Sequence, residues 1–269
     1  MTDRRDFSRQ SFLGSDSDPI LQRVHAAVVG NGGGGSHIAQ QLVHIGFGKI
    51  SLFDPQRIEG SNLNRLVTAT DIDVLKGEFK SNILKRYIKS VRPETLVESY
   101  INKWQQFLEI LKTSDIIFGC LDGYQERLFL ESFARRYLIP YVDIGMDIAE
   151  YEDGRFSISG QVIVSKPDLP CLRCIGFLTK EKLNFEENQY GHAGGNPQVV
   201  WANGILASLA VGEALKLLTP WDRFEQPYVW LEVDGNLQTV THSQQPKFTL
   251  VPDRCPHHGG DDGIGDFLE

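Results

Sequence analysis

The sequence predicts a doubly wound α/β fold, a mostly parallel sheet extended by antiparallel strands, from three observations. Short apolar runs alternate with helical periods throughout residues 24–146. The first turn, "VVGNGGGGS", places five glycines among positions 30–35 between a strand pattern and a helix pattern. Beyond Met146 the segments 155–165 and 227–243 alternate apolar with polar residues, the mark of antiparallel strands with one wet face.

The elements follow in order. "RVHAAVVG" (23–30) is a buried strand closed by glycine, and "SHIAQQLVHIGFG" (36–48) sets Ile38, Leu42, Val43 and Ile45 on one helical stripe. "KISLFD" (49–54) is the second strand, so the first three elements form a parallel unit with a right-handed crossover. A helix over 78–91, a strand at 95–101, a helix over 104–112, a strand at 115–122, a helix over 124–137 and a strand at 139–146 continue the alternation. A hairpin centred on Asp234-Gly235 and a helix over 196–219, rich in small residues, complete the second half. Residues 180–198 show no period and read as a loop, and the glycine- and aspartate-rich end, 259–269, reads as a mobile tail.

With 269 residues, 41% of them apolar, the chain can bury a full core. A formal charge of −8 argues against a broad electrostatic grip on nucleic acid or an anionic membrane. The first 30 residues lack the apolar core of a signal peptide, and no later stretch reads as a bilayer span, so a cytoplasmic protein is expected. Four cysteines in such a chain read as metal ligands or catalysts and not as a disulfide framework.

Gly30, Gly32 and Gly35, with Gly33 among them, fit G-x-G-x-x-G between strand and helix, where backbone amides and a helix N-terminus hold phosphate. Asp54 ends the second strand, where a carboxylate can accept both hydroxyls of a ribose. These residues leave NAD and ATP both open. The next segment, "IEGSNLNRLVTATD" (58–71), carries Asn62, Asn64 and Arg65 where a dinucleotide enzyme would run into another helix.

Taken together, "VVGNGGGGS", "LFDPQRIEGSNLNRL", "KGEFKSN" and "GCLDGYQER" resemble the ThiF/MoeB/HesA family, bacterial relatives of ubiquitin-activating enzymes, over nearly the whole chain. The most specific part is the order Asp54, Asn62, Arg65, Lys80, Asp122, with a slightly longer gap before Lys80 than the family has. The resemblance implies a single adenylation domain over 1–269 with a Rossmann-like sheet. Its parts would be an N-terminal arm (1–22), a nucleotide-binding half (24–146) and a zinc-clipped substrate-binding half (147–258) ahead of the tail.

The implied reaction is ATP-dependent adenylation of the C-terminal carboxylate of a ubiquitin-like or sulfur-carrier protein, with pyrophosphate released. Asp54 would hold the ribose, Asn62, Arg65 and Lys80 the phosphates, and Asp122 a Mg²⁺ ion. The opening "DFSRQSFLG" (6–14) is similar to the family's R-Y-S/N-R-Q, with Arg9 matching an arginine donated across a two-fold interface. A homodimer follows from that match. A partner ending in Gly-Gly is expected, and a conjugating enzyme is a further candidate partner. Within the superfamily the alternative is a tRNA threonylcarbamoyladenosine dehydratase, and outside catalysis a scaffold subunit; a nicotinamide dehydrogenase would need a hydride-transfer site that the sequence does not suggest.

"PCLRC" and "RCPHHG" supply two knuckles, Cys171 with Cys174 and Cys255 with His258. Such spacing suits a closed structural zinc site, the alternative being unpaired thiols. The family's pattern is four cysteines, so a histidine in the fourth place departs from it, and the adjacent His257 is the second candidate. Cys120 reads as a small core residue. The loop in which thioester-forming relatives carry a cysteine has none here, so the expected enzyme makes an adenylate without a thioester of its own.

Overall fold

The computed structural model describes residues 8–167, 170–188, 197–222, 228–244, 255 and 257–258. The described chain enters through a 3-10 turn, Ser8–Leu13, and a short helix α1 (Ser17–Leu21). Strand β1 (His25–Val29) is buried along its whole length and turns at once into helix α2 (Gly33–Ile45). Gly46, at φ 109°, ends α2 in the left-handed conformation that suits glycine, and β2 (Lys49–Phe53) follows parallel to β1.

A polar stretch then leads through α3 (Asp71–Lys76) and α4 (Lys80–Val91) to β3 (Leu96–Tyr100). The chain continues through a 3-10 turn, α5 (Leu108–Leu111), β4 (Ile116–Gly119), α6 (Tyr124–Arg136) and β5 (Tyr141–Glu150). Strand β6 (Phe156–Ser165) is followed by α7 (Lys180–Asn188), α8 (Val200–Leu218), β7 (Val229–Asp234) and β8 (Thr239–His242).

The eight strands form one sheet in the order β3-β2-β1-β4-β5-β6-β7-β8. Strands β1 to β5 pair in parallel, and β6, β7 and β8 add antiparallel. Because side chains alternate along a strand, neighbouring residues serve opposite layers. Ala26 and Val28 pack with Leu42 of α2, Ile88 of α4 and Ala210 of α8, while Ala27 and Val29 pack with Leu130 and Ala134 of α6. Helix α8 is long and apolar enough to span a bilayer by composition alone, yet its Ala207, Ala210 and Ala214 are buried in the first of these cores.

The mixed sheet and the placement of its strands match the sequence expectation. Residues 180–188 do not: they form α7 where a loop is expected. Its weak periodicity is offset by tertiary contacts. Glu186 accepts a 2.8 Å hydrogen bond from the backbone of Gln125 in the first turn of α6, and Lys182 lies over the rings of Tyr124 and Phe177. The expected helix over 104–112 is broken at Phe107 into a 3-10 turn and the four-residue α5. Residues 189–196 of the expected loop and the expected tail lie outside the described residues.

Candidate active site

In an open α/β sheet a crevice forms beyond the C-terminal strand ends where the connections change direction, here between β1 and β4. The glycine turn after β1 shapes one wall. Gly30 has φ 89°, and a Cβ on it would lie 2.2 Å from the carbonyl oxygen of Cys120; a Cβ on Gly35 would lie 1.9 Å from the carbonyl oxygen of Gly30. Both positions therefore exclude any side chain and press the start of α2 onto the ends of β1 and β4. At Gly32, the N-cap of α2, a Cβ would meet nothing within 4 Å, so the backbone there opens onto free space.

That space is a cleft of about 730 Å³, and Gly30, Gly32, Gly33, Asp54, Asn62, Arg65, Lys80 and Asp122 all line it. Gly35 does not: it is buried beneath the turn, and its close contact with Gly30 gives it a packing role instead of the ligand contact expected from the motif.

Asp54 is buried, and its two carboxylate oxygens accept hydrogen bonds from the backbone of Asn31 at 2.7 Å and of Gln56 at 2.8 Å. Burial pushes its pKa upward, against the pull of the nearby Lys80 ammonium and of the two amides. Lys80, the first residue of α4 and also buried, donates a 2.6 Å hydrogen bond to Gln56 Oε1. Asn62 closes a 3-10 turn, and its Oδ1 caps the backbone of Glu59 at 3.1 Å. Arg65 is half-buried and folded back on its own segment, donating to the carbonyl of Ser61 at 2.7 Å and to Asn64 Oδ1 at 3.0 Å. Asp122 is exposed just past β4, with Oδ1 accepting from Gln198 Nε2 at 3.3 Å. Arg9 lies exposed on the first 3-10 turn and does not line the cleft of its own chain.

Sequence reasoning missed the buried charges behind this wall. Arg127 of α6, inside the quoted "GCLDGYQER", lines the cleft and donates to Asp143 Oδ2, to the carbonyl of Leu121 and, at 3.1 Å, to the carbonyl of Ile144. Tyr141 Oη donates to the other oxygen of Asp143 at 2.7 Å. Burial pushes the Asp143 pKa up, and the guanidinium and these hydrogen bonds oppose it. The pair thus ties the Leu121 backbone, one residue before Asp122, to β5. Burial also drives the Cys120 thiol well above its ordinary pKa, so its thiolate is disfavoured.

On the α6 side of the sheet, Cys171, Cys174, Cys255 and His257 present four donor atoms to one point. Cys174 Sγ lies 3.5 Å from Cys171 Sγ and 3.4 Å from Cys255 Sγ, and His257 Nδ1 lies 3.3, 3.4 and 4.0 Å from the three sulfurs. Such spacing fits the edges of a tetrahedron around zinc. At the fourth position His257, the second candidate of the sequence, lies among the three sulfurs. His257 faces the sulfurs, while His258, the sequence-expected ligand, turns its Nε2 towards Glu131 at 3.8 Å. Two adjacent residues in a turn point different ways, and the spacing of the motif alone does not show which one faces inward.

A family model described as the ThiF family matches residues 6–252. The chain is 30% identical over 180 residues to a sulfur carrier protein adenylyltransferase of Thermus thermophilus, a match spanning 63% of this chain and 62% of that one. It is 28% identical over 166 residues to a SAMP-activating enzyme E1 of Haloferax volcanii, covering 61% of this chain and 57% of the relative. It is 26% identical over 208 residues to ubiquitin-like modifier-activating enzyme 5 of Drosophila grimshawi, covering 71% and 50%. The matches thus span one half to under two thirds of these curated relatives.

Among solved structures, E. coli MccB with MccA superposes with a TM-score of 0.76 at 18% identity, over 97% of this chain and 76% of the other. PaaA superposes with a TM-score of 0.67 at 17% identity, over 90% and 85%. These two likenesses are ones of fold. The family match over most of the length, with the motif residues gathered around one cleft, places the chain in the ThiF family.

Proposed function

We propose that the chain is an adenylyltransferase that uses ATP to activate the C-terminal carboxylate of a ubiquitin-like or sulfur-carrier protein. The observation that carries this reading is the convergence of Asp54, Asn62, Arg65, Lys80 and Asp122, spread over nearly 70 positions, on one cleft beside the glycine turn. The named relatives with adenylyltransferase and activating activities support it.

The residues suit the chemistry. A carboxylate oxygen attacks the α-phosphorus of ATP, the bond to the β-phosphate bridging oxygen breaks, and the electron pair leaves with pyrophosphate. Two anions must approach, so positioned cations are the main requirement. Asp54, oriented by two backbone amides, accepts from the ribose hydroxyls. The N-terminus of α2 and the ammonium of Lys80 hold phosphate oxygens, and Asn62 and Arg65, which line the same cleft, add donors. Asp122 is the residue that would hold Mg²⁺: its carboxylate is exposed in the cleft, and Mg²⁺ sites combine one or two carboxylates with substrate phosphates. The ion supplies neutralisation of phosphate charge.

The same reading includes a homodimer in which Arg9 serves the partner's cleft, a substrate tail ending in Gly-Gly, and release of the acyl group without a thioester on this chain. The last point draws support from the cysteines, three of which converge with His257 while the fourth has a strongly raised pKa. Zinc in the four-donor centre would be structural, since no coordination position is left open. Mass spectrometry of candidate carriers after incubation with ATP and the protein tests the reading directly. A C-terminal AMP adduct on one carrier is expected; carriers that stay unmodified alongside bound ATP would overturn it.

A further inference from the structure

Beside the four-donor centre lies a second grouping, Glu131, Cys171 and His258, of which the tetrahedral arrangement uses only Cys171. Glu131 is fully buried on α6. One carboxylate oxygen accepts from Ser165 Oγ at 2.6 Å and from the backbone of Leu172 at 2.8 Å, inside the first knuckle. The other oxygen faces His258 Nε2, in the second knuckle, at 3.8 Å. Both of these facing atoms are buried, and neither has a hydrogen-bond partner among the described residues.

We propose that Glu131 and His258 are a positioning pair for the metal centre, through which a single buried carboxylate holds both knuckles against α6. The inference rests on the reading of the four donors as a zinc site. The two knuckles lie more than 80 positions apart, so the second must be held in place for His257 and Cys255 to reach the first. Glu131, which lies outside both knuckles, grips the first by its backbone and faces a side chain of the second. A carboxylate buried beside the Cys171 sulfur would oppose the negative charge that sulfur carries as a metal ligand unless a donor meets its free oxygen. The imidazole Nε2 of His258, 3.8 Å away, would become that donor on closing by roughly 1 Å to hydrogen-bond distance. His258 thereby acts one step out from the metal, as carboxylates and imidazoles beside metal ligands commonly do.

The test uses the full chain, with zinc content measured by elemental analysis and zinc affinity by competition with a chromogenic chelator. Wild-type protein is expected to carry one zinc per chain. His258→Ala and Glu131→Gln are expected to weaken zinc binding by about 10–100-fold, the usual cost of losing an outer partner of a metal ligand. The melting temperature of metal-free His258→Ala is expected to equal that of metal-free wild type, which separates positioning of the metal from general packing. Wild-type protein that takes up no zinc would overturn the metal reading itself. Zinc held by His258→Ala with wild-type affinity would overturn the pair alone, and this arm decides the matter even if Glu131→Gln does not fold.

Discussion

Lys80 and Gln56 are joined by a 2.6 Å hydrogen bond from the Lys80 ammonium to the side-chain oxygen, while the backbone N–H of the same Gln56 holds Asp54 at 2.8 Å. One residue thus connects the group assigned to phosphate with the group assigned to ribose. Lys80→Met removes the cation without emptying the space, and adenylation should fall by about 10²–10³ in kcat, the cost of losing one preorganised charge partner. Gln56→Ala leaves the backbone contact to Asp54 intact and should cost less. Steady-state kinetics on the two variants would expose the error if Gln56→Ala proved the more damaging.

Arg127 and Asp143 form a buried ion pair whose members have side-chain exposures of 6% and 0%. Removing one member strands the other, so Arg127→Met should cost about 3–5 kcal/mol in stability. The double variant Arg127→Met, Asp143→Leu should recover much of this, because a buried pair replaced by apolar groups is often neutral. It should not recover adenylation, since Leu121 and the adjoining Asp122 would lose their anchor. Urea denaturation of single and double variants checks the first part, and a double variant with full activity would refute the second.

How much of this was legible in the sequence depends on how far each residue acts beyond its neighbours. Strands such as β1 and β4 show as apolar runs because they are covered on both faces, and the motif residues show because backbone geometry fixes their spacing. Helix α7 does not show, since Glu186 and Lys182 are held by α6 and Phe177 and not by a period of their own. Gly35 fits the motif yet serves packing, and the choice of His257 over His258 is decided by which ring lies near all three sulfurs. The Arg127–Asp143 pair is invisible along the chain because a charged residue reads as solvated until its partner, 16 positions away, is placed beside it.

Stability should fall in mild acid through buried histidines. His25 hydrogen-bonds to the carbonyl of Thr113 and to Ser51 Oγ, both at 2.8 Å, and burial lowers its pKa; burial lowers that of His37 as well. A folded pKa below the unfolded value near 6.5 means that the unfolded chain takes up protons first. The stabilisation is therefore complete above that value and is lost as the pH drops from it towards the folded pKa. Urea midpoints should be level between pH ~7 and ~8 and decline below ~6.5, and His25→Gln should flatten that decline. A decline of equal slope in the variant would show that His25 does not cause it.

Arg9 is exposed and does not line the cleft of its own chain, as a residue serving a partner would be. Arg9→Ala and Lys80→Met should each be strongly impaired alone and should regain activity when their subunits are mixed and exchanged. The mixed dimer then holds one site with its own Lys80 and the partner's Arg9. Absence of complementation, with subunit exchange verified, would remove Arg9 from the catalytic assignment.

The most direct measurement is ATP–pyrophosphate exchange in the purified protein with Mg²⁺, with and without small carrier proteins ending in Gly-Gly. Exchange is expected to depend on one such carrier and to disappear in Asp122→Ala. Firm ATP binding without exchange for any carrier would contradict this, and would favour a scaffold subunit or a dehydratase built on the same fold.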